Sequence, residues 1–377
     1  MSNQNLTVTT NKRKWWKVLL KVLLITGGTL TGLFLILFLI LWSWSPGRIE
    51  PFLDDDGHVL EGSISEIVRI EIGGTRQGMI IRGRSVDHPV ILFLHGGPGN
   101  PTYAFSREFF GMLEDYFTVV HWEQRGAGMS YGSAEISRNI TVEQMVSDTA
   151  EITNYLRERF EQDTIYLMGH SWGTFLGIQT IARHPELFEA YLGVAQVSNG
   201  FESEVLGHAH MLSRSIENDD RRTVDRLSAY TLNTPEDITT SWLMLRSDVM
   251  NHLGNGVFHE PFSQFQDLLL PVLQAREYTL SDKFGFAMGS LHALNSPANA
   301  ANFSVNLMEA IPEVEVPVFI FHGIHDRQVS YELSRTYFDL LQAPEKHFFT
   351  FYDAAHTPFM EEPEKFMEII LREVLAE

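Results

Sequence analysis

A serine near the middle of the chain lies in a pattern typical of a reactive nucleophile. The segment GHSWG at 169–173 follows an apolar run at 164–168 and precedes a stretch with helical spacing of apolar residues. Glycines on both sides permit a sharp strand-to-helix turn, which exposes the serine oxygen at a helix N-terminus where developing negative charge is stabilised. The pattern therefore predicts Ser171 as the nucleophile of an acyl-transfer reaction.

A serine hydroxyl needs a general base, and the base needs a carboxylate that orients it. Two downstream segments supply candidates, each after an apolar run: Asp326 in FHGIHD and His356 in YDAAH. The carboxyl ends of parallel strands meet at one edge of a sheet, so both side chains are expected near Ser171. Two alternatives stay open, because Asp326 could cap the following helix and Asp353 could be the orienting acid. The two histidines of the first segment, His322 and His325, are expected to be structural or incidental.

A third component is the glycine-rich segment HGGPG at 95–99, directly after the apolar run 90–94. Glycines at this place let backbone N–H groups point toward a reacting carbonyl oxygen, which is how an oxyanion hole is built. The expected donors are the N–H groups of Gly97 and of Trp172, the residue after the nucleophile. A simple tight turn is the alternative, although a turn does not require so many glycines.

Three segments together resemble the α/β-hydrolase superfamily: HGGPG at 95–99, WEQRGAGMS at 122–130 and GHSWG at 169–173. Their order is most similar to the proline iminopeptidase branch, from about residue 65 to the end, and the region 200–305 is only loosely alike. The resemblance implies a catalytic triad and two oxyanion donors, which are Ser171, Asp326, His356, Gly97 and Trp172.

Two residues depart from the pattern of that branch. Glu123 stands where the family usually has Asp, and His170 stands where its aminopeptidases commonly have Gly, as in a general esterase. Family aminopeptidases hold the free amine of the substrate with carboxylates of a helical cap. Glu202 and Glu204 are the candidates here, although in so acidic a chain they could equally be solvated acids on a helix surface.

The elements that must position these residues follow from hydrophobic periodicity. Several apolar runs are continuous, as in central parallel strands covered on both faces. Strands are predicted at 68–72, 78–82, 90–94, 118–122, 164–168, 191–197, 318–321 and 348–352. Helical patterns alternate with them, at 141–160, 172–183 and 363–375. This alternation predicts an α/β class protein, and with the motifs an α/β-hydrolase fold: a mostly parallel sheet with helices on both faces.

Residues 200–305 interrupt this alternation, since they contain no clear strand and have helical patterns broken by proline and glycine. We therefore expect a helical cap insertion at 200–305 between two parts of the hydrolase core, 65–199 and 306–377. A linker at 45–64 is expected to precede the core.

The N-terminal region predicts a transmembrane helix. Residues 22–44 are almost wholly apolar, and about 20 such residues cross a bilayer core. Basic residues lie in the preceding segment 1–21, and Trp42 and Trp44 lie where an interfacial aromatic belt is expected. The positive-inside rule then gives a single-pass protein of the cell membrane, with a cytoplasmic N-terminus and the catalytic domain outside. The alternative is secretion after signal cleavage, although signal apolar regions span only about 7–15 residues.

Composition excludes several other classes of protein. The chain has 377 residues and a formal net charge of −20, and all acidic residues lie after residue 48. Because the region after residue 48 is strongly negative, it would repel a phosphate backbone. No nucleic-acid partner is therefore expected. Because cysteine is absent, a thiol nucleophile, a disulfide scaffold and a Cys₄ zinc site are excluded. No cofactor and no metal are expected, and the oligomeric state stays open.

These observations predict a serine hydrolase with a Ser-His-Asp triad and an acyl-enzyme mechanism. The leading hypothesis is a proline iminopeptidase-like aminopeptidase, a protease that releases N-terminal residues from small peptides. The alternative is a carboxylesterase or lipase-like hydrolase of small or acyl esters, which His170 and the nearby membrane favour. A non-catalytic binding protein on a hydrolase scaffold is a third hypothesis, and the presence of all the reactive components argues against it.

Overall fold

The computed structural model describes residues 9–132, 140–260 and 262–375. Of the predicted cytoplasmic segment 1–21, residues 1–8 and the side chains of 9–14 lie outside the described residues. The first helix is α1 (Thr9–Ser43). Its stretch Trp15–Ser43 is long and apolar enough to cross a membrane, and the most apolar part of this stretch is not buried against the rest of the protein. A signal sequence passes the same test, so this observation fixes neither retention nor orientation.

Within the described residues, eight strands form one sheet in the order β1-β2-β4-β3-β5-β6-β7-β8. They are β1 (Ile64–Ile72), β2 (Thr75–Gly83), β3 (Val90–Leu94), β4 (Thr118–Glu123), β5 (Ile165–His170), β6 (Phe188–Val194), β7 (Val318–Gly323) and β8 (Lys346–Phe351). β1 and β2 pair antiparallel, as do β2 and β4, and every other pair is parallel. The predicted mostly parallel α/β sheet is confirmed.

Helices of the core are α2 (Arg107–Leu113), α3 (Val142–Arg159), α4 (Trp172–Arg183), α12 (Tyr331–Leu340), α13 (Pro358–Glu361) and α14 (Pro363–Ile369), which continues as a π-helix at Ile370–Val374. The remaining helices, all but one of them in the inserted region, are α5 (Gly200–Glu217), α6 (Arg221–Ser228), α7 (Thr240–His252), α8 (Leu270–Gln274), α9 (Leu280–Ala293), α10 (Pro297–Ser304) and α11 (Leu307–Ala310).

Strand β3 shows how the sheet is covered on both faces. Leu92 belongs to one buried apolar cluster together with side chains of α3 and α4, such as Phe175. Its neighbour Phe93 belongs to a second cluster with α2 and α14, such as Phe366. Successive side chains of a strand point to opposite faces, so a continuously apolar strand requires apolar partners on both sides.

One predicted strand is shifted by three residues at both ends. The strand predicted at 191–197 is β6, which begins at Phe188 and ends at Val194. Ala195 has φ 52°, in the left-handed region that strands do not adopt, so the chain leaves the sheet there. The following segment leads into the inserted region.

The inserted region leaves and rejoins the core at adjacent points, because Asn199 and Asn306 form an isolated antiparallel bridge. Its described residues contain helices and no strand. An apolar cluster of its own includes Met211, Trp242 and Met250. The region therefore packs as a helical layer at the end of the sheet where β6 and β7 terminate.

A buried histidine in β4 makes stability depend on pH. His121 contacts Phe110 at 4.3 Å and Tyr103 at 5.0 Å between ring centroids, and neither ring nitrogen has a hydrogen-bond partner among the described residues. Burial lowers the pKa of His121 to about 3. The folded protein therefore keeps this ring neutral in a range where the unfolded chain binds a proton.

We expect acid to destabilise the protein through His121. Below the ordinary histidine pKa of about 6.5, the unfolded state binds one more proton, so the free energy of unfolding falls by about 1.4 kcal/mol per pH unit. His121→Phe should remove this contribution, and the variant should gain relative stability as pH falls from 7 to 4. Denaturant unfolding at several pH values measures the difference, and a constant difference would contradict the expectation.

Candidate active site

Ser171 lies at the sharp turn between β5 and α4. Its backbone has φ 55° and ψ −120°, which is strained for a residue other than glycine. The flanking glycines allow this approach of strand and helix: a Cβ on Gly169 would lie 2.5 Å from the carbonyl oxygen of Gly173, and one on Gly173 would lie 2.0 Å from that of Leu94. The Ser171 N–H donates to the carbonyl of Val194 at 3.0 Å, which ties the turn to the neighbouring strand.

Asp326 and His356 are brought together at the ends of β7 and β8. Nδ1 of His356 donates to Oδ2 of Asp326 at 2.8 Å, and both side chains are buried. Burial alone would raise the pKa of the Asp326 carboxyl, but the charge of His356 and the hydrogen bonds from His322 and His356 hold that pKa below its usual range. The carboxylate therefore stays ionised and fixes the orientation of the imidazole.

The structure bears on two alternatives: that Asp326 caps the next helix, and that Asp353 orients His356. Asp326 does not cap the next helix, because Ser330 is the N-cap residue of α12 and its side chain accepts from the Leu333 N–H. Asp353 is exposed, and the hydrogen bonds of the described residues include none between it and His356. The carboxylate that contacts His356 is that of Asp326.

Two further histidines support this arrangement, and the sequence analysis missed their contacts. Nε2 of His322 lies 3.1 Å from Oδ2 of Asp326 and 3.1 Å from the Val329 carbonyl; since both partners only accept, Nε2 carries the proton. Nε2 of His170 lies 3.0 Å from the carbonyl of His356, and burial lowers the pKa of His170 to about 3. His170 therefore donates as a neutral ring. The only sequence signal was the four-residue spacing of His322 before the acid.

The glycine-rich loop leaves amide groups free beside Ser171. Gly97 has φ +120°, and a Cβ there would lie 2.6 Å from the Gly99 nitrogen, so only glycine fits. Among the hydrogen bonds of the described residues, none uses the N–H of Gly97 or that of Trp172. The first N–H groups of a helix have no partner within it, which explains the free N–H of Trp172.

Gln124, in the middle motif, connects the two loops that carry these amides. Its Nε2 donates to the His95 carbonyl at 2.9 Å, and its Oε1 accepts from Nε1 of Trp172 at 3.1 Å. Its backbone N–H donates to Nε2 of His95, whose Nδ1 donates to the Gly96 carbonyl. Burial lowers the pKa of His95 to about 4, so that the ring is neutral and can accept at one nitrogen.

Glu123, the unusual residue of the same motif, connects the core to the inserted region. Oε1 accepts from the Tyr278 hydroxyl at 2.5 Å and Oε2 accepts from the Met129 N–H at 2.5 Å. Burial raises the pKa of Glu123 to about 7. The contact with Tyr278 spans more than 150 residues, which no local pattern can show.

A cavity of about 1110 Å³ brings these groups to one place. Its wall includes Gly97, Ser171, Trp172 and His356 from the core, and side chains of the inserted region complete it. The hydrogen bonds of the described residues include none from the Ser171 hydroxyl to His356. Such contacts are often longer without substrate and shorten when it binds. No group of three or more His, Asp or Glu side chains suited to a metal ion occurs among the described residues.

The carboxylates considered for amine recognition are placed differently. Glu204 lines the cavity, but it is buried and accepts from Nε1 of Trp242 at 2.7 Å and from Nη1 of Arg246. Its charge is therefore compensated by the Arg246 guanidinium. Glu202 lies in the first turn of α5 and does not line the cavity.

A strained serine elbow, a buried carboxylate–imidazole pair and free amides at the carboxyl edge of a parallel sheet define the class of α/β-fold hydrolases. The family described as alpha/beta hydrolase fold matches residues 89–363, and the chain belongs to this family and is a hydrolase.

Relatives and solved structures agree with this assignment. The chain is 34% identical over 313 residues to "Probable aminopeptidase YbaC" of Bacillus subtilis, covering 82% of this chain and 96% of that protein. The fold is similar to that of a proline iminopeptidase from Mycobacterium smegmatis, with a TM-score of 0.60, 17% identity and coverage of 83% and 100%. A thermophilic esterase from Thermogutta terrifontis gives a TM-score of 0.53, 19% identity and coverage of 82% and 98%.

Proposed function

We propose that this hydrolase uses Ser171, His356 and Asp326 as a catalytic triad and releases the N-terminal residue of small peptides. The observation that carries the proposal is the buried hydrogen bond between Asp326 and His356 at the wall of the cavity that Ser171 enters. The similarity to a protein named as a probable aminopeptidase supports the choice of substrate.

In the proposed reaction the Ser171 oxygen attacks the substrate carbonyl while Nε2 of His356 takes the hydroxyl proton. Asp326 stabilises the resulting imidazolium. The N–H groups of Gly97 and Trp172 hold the tetrahedral oxyanion, and each well-placed donor contributes about 3–4 kcal/mol. The leaving amine takes the proton from His356, and water then hydrolyses the acyl-enzyme with His356 again as the base.

Esterase activity is the second candidate, and the pairing of Glu204 favours it. The described carboxylates of the cavity wall are Glu204 and Asp248, and each contacts an arginine, Arg246 and Arg226 respectively. A substrate amine would have to compete with a guanidinium already in place. An ester has no amine to bind, so this cavity suits an ester without any rearrangement.

Comparing two substrate series separates the two candidates. The full chain in detergent is given a prolyl arylamide, its N-acetylated form and p-nitrophenyl esters of increasing acyl length. An aminopeptidase is expected to hydrolyse the free prolyl arylamide at least 100-fold faster than the acetylated form. Ester hydrolysis without arylamide turnover would reject the aminopeptidase proposal. Absence of all turnover, together with no labelling of Ser171 by a fluorophosphonate, would reject both.

We further propose that α1 is a retained anchor with the N-terminus in the cytoplasm and residues after Arg48 outside. The apolar span and the basic residues before it support this orientation. Because the chain has no cysteine, a single cysteine at the exposed position Tyr352 can report the side. Labelling of intact cells by a membrane-impermeant maleimide is expected, and labelling only after lysis would reverse the orientation.

His322 is expected to act as a positioning residue for Asp326. His322→Phe removes one of two side-chain donors to the carboxylate, and a hydrogen bond to a charged group contributes about 1.5–3 kcal/mol. We expect kcat to fall about 10- to 100-fold with KM nearly unchanged. His322→Gln keeps a donor and should recover part of the loss.

The matched control for this prediction is His325→Gln. His325 lies in the same loop and contacts the Tyr352 carbonyl and the His259 ring instead of Asp326. Steady-state kinetics of the three variants measure the effect. Equal kcat values for His322→Phe and His325→Gln would show that the contact with Asp326 does not matter.

A further inference from the structure

The end of α1 is fixed to the inserted region by a buried lysine. Nζ of Lys283, in α9, donates to the Trp44 carbonyl at 2.8 Å, to Oγ of Ser45 at 2.9 Å and to the Leu273 carbonyl at 2.7 Å. Three acceptors satisfy all three protons of the ammonium group. The junction therefore joins the last turn of the apolar helix directly to α8 and α9.

Backbone contacts continue this junction along the linker. Pro46 forms an isolated bridge with Thr279, and the Arg48 N–H donates to the Arg276 carbonyl at 3.0 Å. Gly47 has φ +62°, and a Cβ there would lie 2.7 Å from Cγ2 of Thr279. Residues 44–48, which we call the strap, are thus packed against the inserted region. Along these residues the chain is held by contacts and does not form a free linker.

Large apolar side chains are exposed on the two helical stretches that carry this junction, 264–274 and 280–293. Phe265, Leu269 and Phe284 are 57%, 44% and 59% exposed, and we call these three residues the apolar rim. Phe284 directly follows Lys283 in α9. Leu269 also lines the cavity that contains Ser171.

The distance between rim and junction follows from helix geometry. Leu269 ends a π-helix (Gln264–Leu269) that continues directly into α8, and it precedes Leu273 by four residues. The carbonyls of Leu273 and Trp44 both accept from the Lys283 ammonium. Four residues of helix rise about 6 Å. The interfacial layer of a bilayer is about 5–7 Å thick on each side of the hydrocarbon core. With the two hydrogen bonds of Lys283, at 2.7 and 2.8 Å, Leu269 lies within about 12 Å of the Trp44 carbonyl, which is about the thickness of two interfacial layers.

We propose that the apolar rim rests in the interfacial layer of the bilayer that α1 crosses, so that the cavity opens at the membrane surface. The proposal rests on α1 being a retained membrane span. It commits to lipid as the occupant because the helical elements that carry the rim also hold the end of the apolar helix, through Lys283 and Leu273. Substrates that partition to the membrane–water boundary would then reach Ser171 from that side.

Single-cysteine labelling tests this placement without relying on turnover. The cysteine-free chain receives Phe265→Cys or Leu269→Cys, and an environment-sensitive fluorophore is attached to the full protein in phosphatidylcholine vesicles. The controls are Leu340→Cys and Tyr352→Cys, which are 59% and 65% exposed in the native chain. These controls lie beside β7 and β8, at the sheet edge opposite the linker.

We expect doxyl-labelled lipid to quench both rim positions at least two-fold more than both controls, and iodide to show the reverse order. Equal quenching of all four positions by iodide would overturn the proposal. A third outcome is that neither agent quenches the rim, while energy transfer occurs between labelled copies and disappears on dilution in lipid. This result would overturn the proposal and show that a second copy of the chain covers the rim. Because no outcome depends on hydrolysis, a failure here is distinguishable from failure of the proposed triad.

Release of the strap provides a second measurement. Lys283→Met removes the three hydrogen bonds at the junction, whereas the control Lys365→Met removes a half-buried lysine that contacts Glu362. Each is combined with the Phe265→Cys label. Doxyl quenching is expected to fall to the control value in the first variant only. Unchanged quenching in a folded Lys283→Met protein would show that the strap does not position the rim.

Discussion

Replacing Ser171 with alanine is expected to lower kcat by about 10⁶-fold, to the background rate, because no other group at the elbow can form the acyl-enzyme. Alanine keeps the Cβ and removes only the hydroxyl, and the hydrogen bonds within the described part of the chain include none from this hydroxyl. The elbow and the cavity should therefore remain intact. Thermal unfolding is expected to be unchanged, since the strained backbone is held by its neighbours.

Ser247→Ala is the matched control for this prediction. Ser247 also lines the cavity, but it lies in α7 and accepts from the Asn251 side chain. Turnover and fluorophosphonate labelling should survive in this variant and vanish in Ser171→Ala. Retained turnover in purified Ser171→Ala would remove Ser171 from the mechanism.

The sharp turn at Ser171 and the glycine-rich loop at 95–99 could be predicted from sequence because their backbone geometry forces particular residue types there. Gly169 and Gly173 permit an approach that any Cβ would block, and Gly97 occupies a conformation that glycine favours. These demands are local, so they leave a readable pattern. Continuous apolar runs likewise predicted the central strands, because a strand covered on both faces cannot carry polar residues.

Contacts between distant segments could not be predicted in the same way. Glu204 was considered as a free carboxylate, yet its partner Arg246 lies 42 residues further along the chain. Gln124 lies 48 residues from Trp172, and its role in joining the two loops leaves no local signal. Pairings of this kind depend on how helices pack, which periodicity alone does not specify. The backbone of the candidate site was therefore more predictable than the contacts of its side chains.

The junction at Lys283 shows a related limit. Periodicity predicted an apolar helix, and the proline–glycine pair after it predicted that a linker begins there, at 45–64. In the structure, Lys283, Arg276 and Thr279 contact residues 44–48 of this region. Only the fold brings these three carbonyl and hydroxyl acceptors to the ammonium group of Lys283. Its function in the junction is thus visible in the contacts alone.

Asp326→Asn is expected to lower kcat by about 10⁴-fold while the protein stays folded. The amide has nearly the same shape as the carboxylate, and its oxygen can still accept the N–H groups of Gln328 and Val329, each at 2.9 Å. Its NH₂ group, however, cannot accept the proton of His356 Nδ1. The imidazole would then lose the tautomer that leaves Nε2 free to take the Ser171 proton, and the imidazolium would lose its counter-charge.

Asp353→Asn tests whether the location of the acid matters. Asp353 lies three residues before His356 but is exposed and contacts the Glu362 side chain through its backbone N–H. Its replacement should change kcat less than two-fold, because solvent and salt screen the interaction of an exposed charge with the His356 ring. Pre-steady-state acylation of Asp326→Asn should slow as much as kcat does, because the base acts in both half-reactions. A large loss in Asp353→Asn with little loss in Asp326→Asn would instead assign the orienting carboxylate to Asp353.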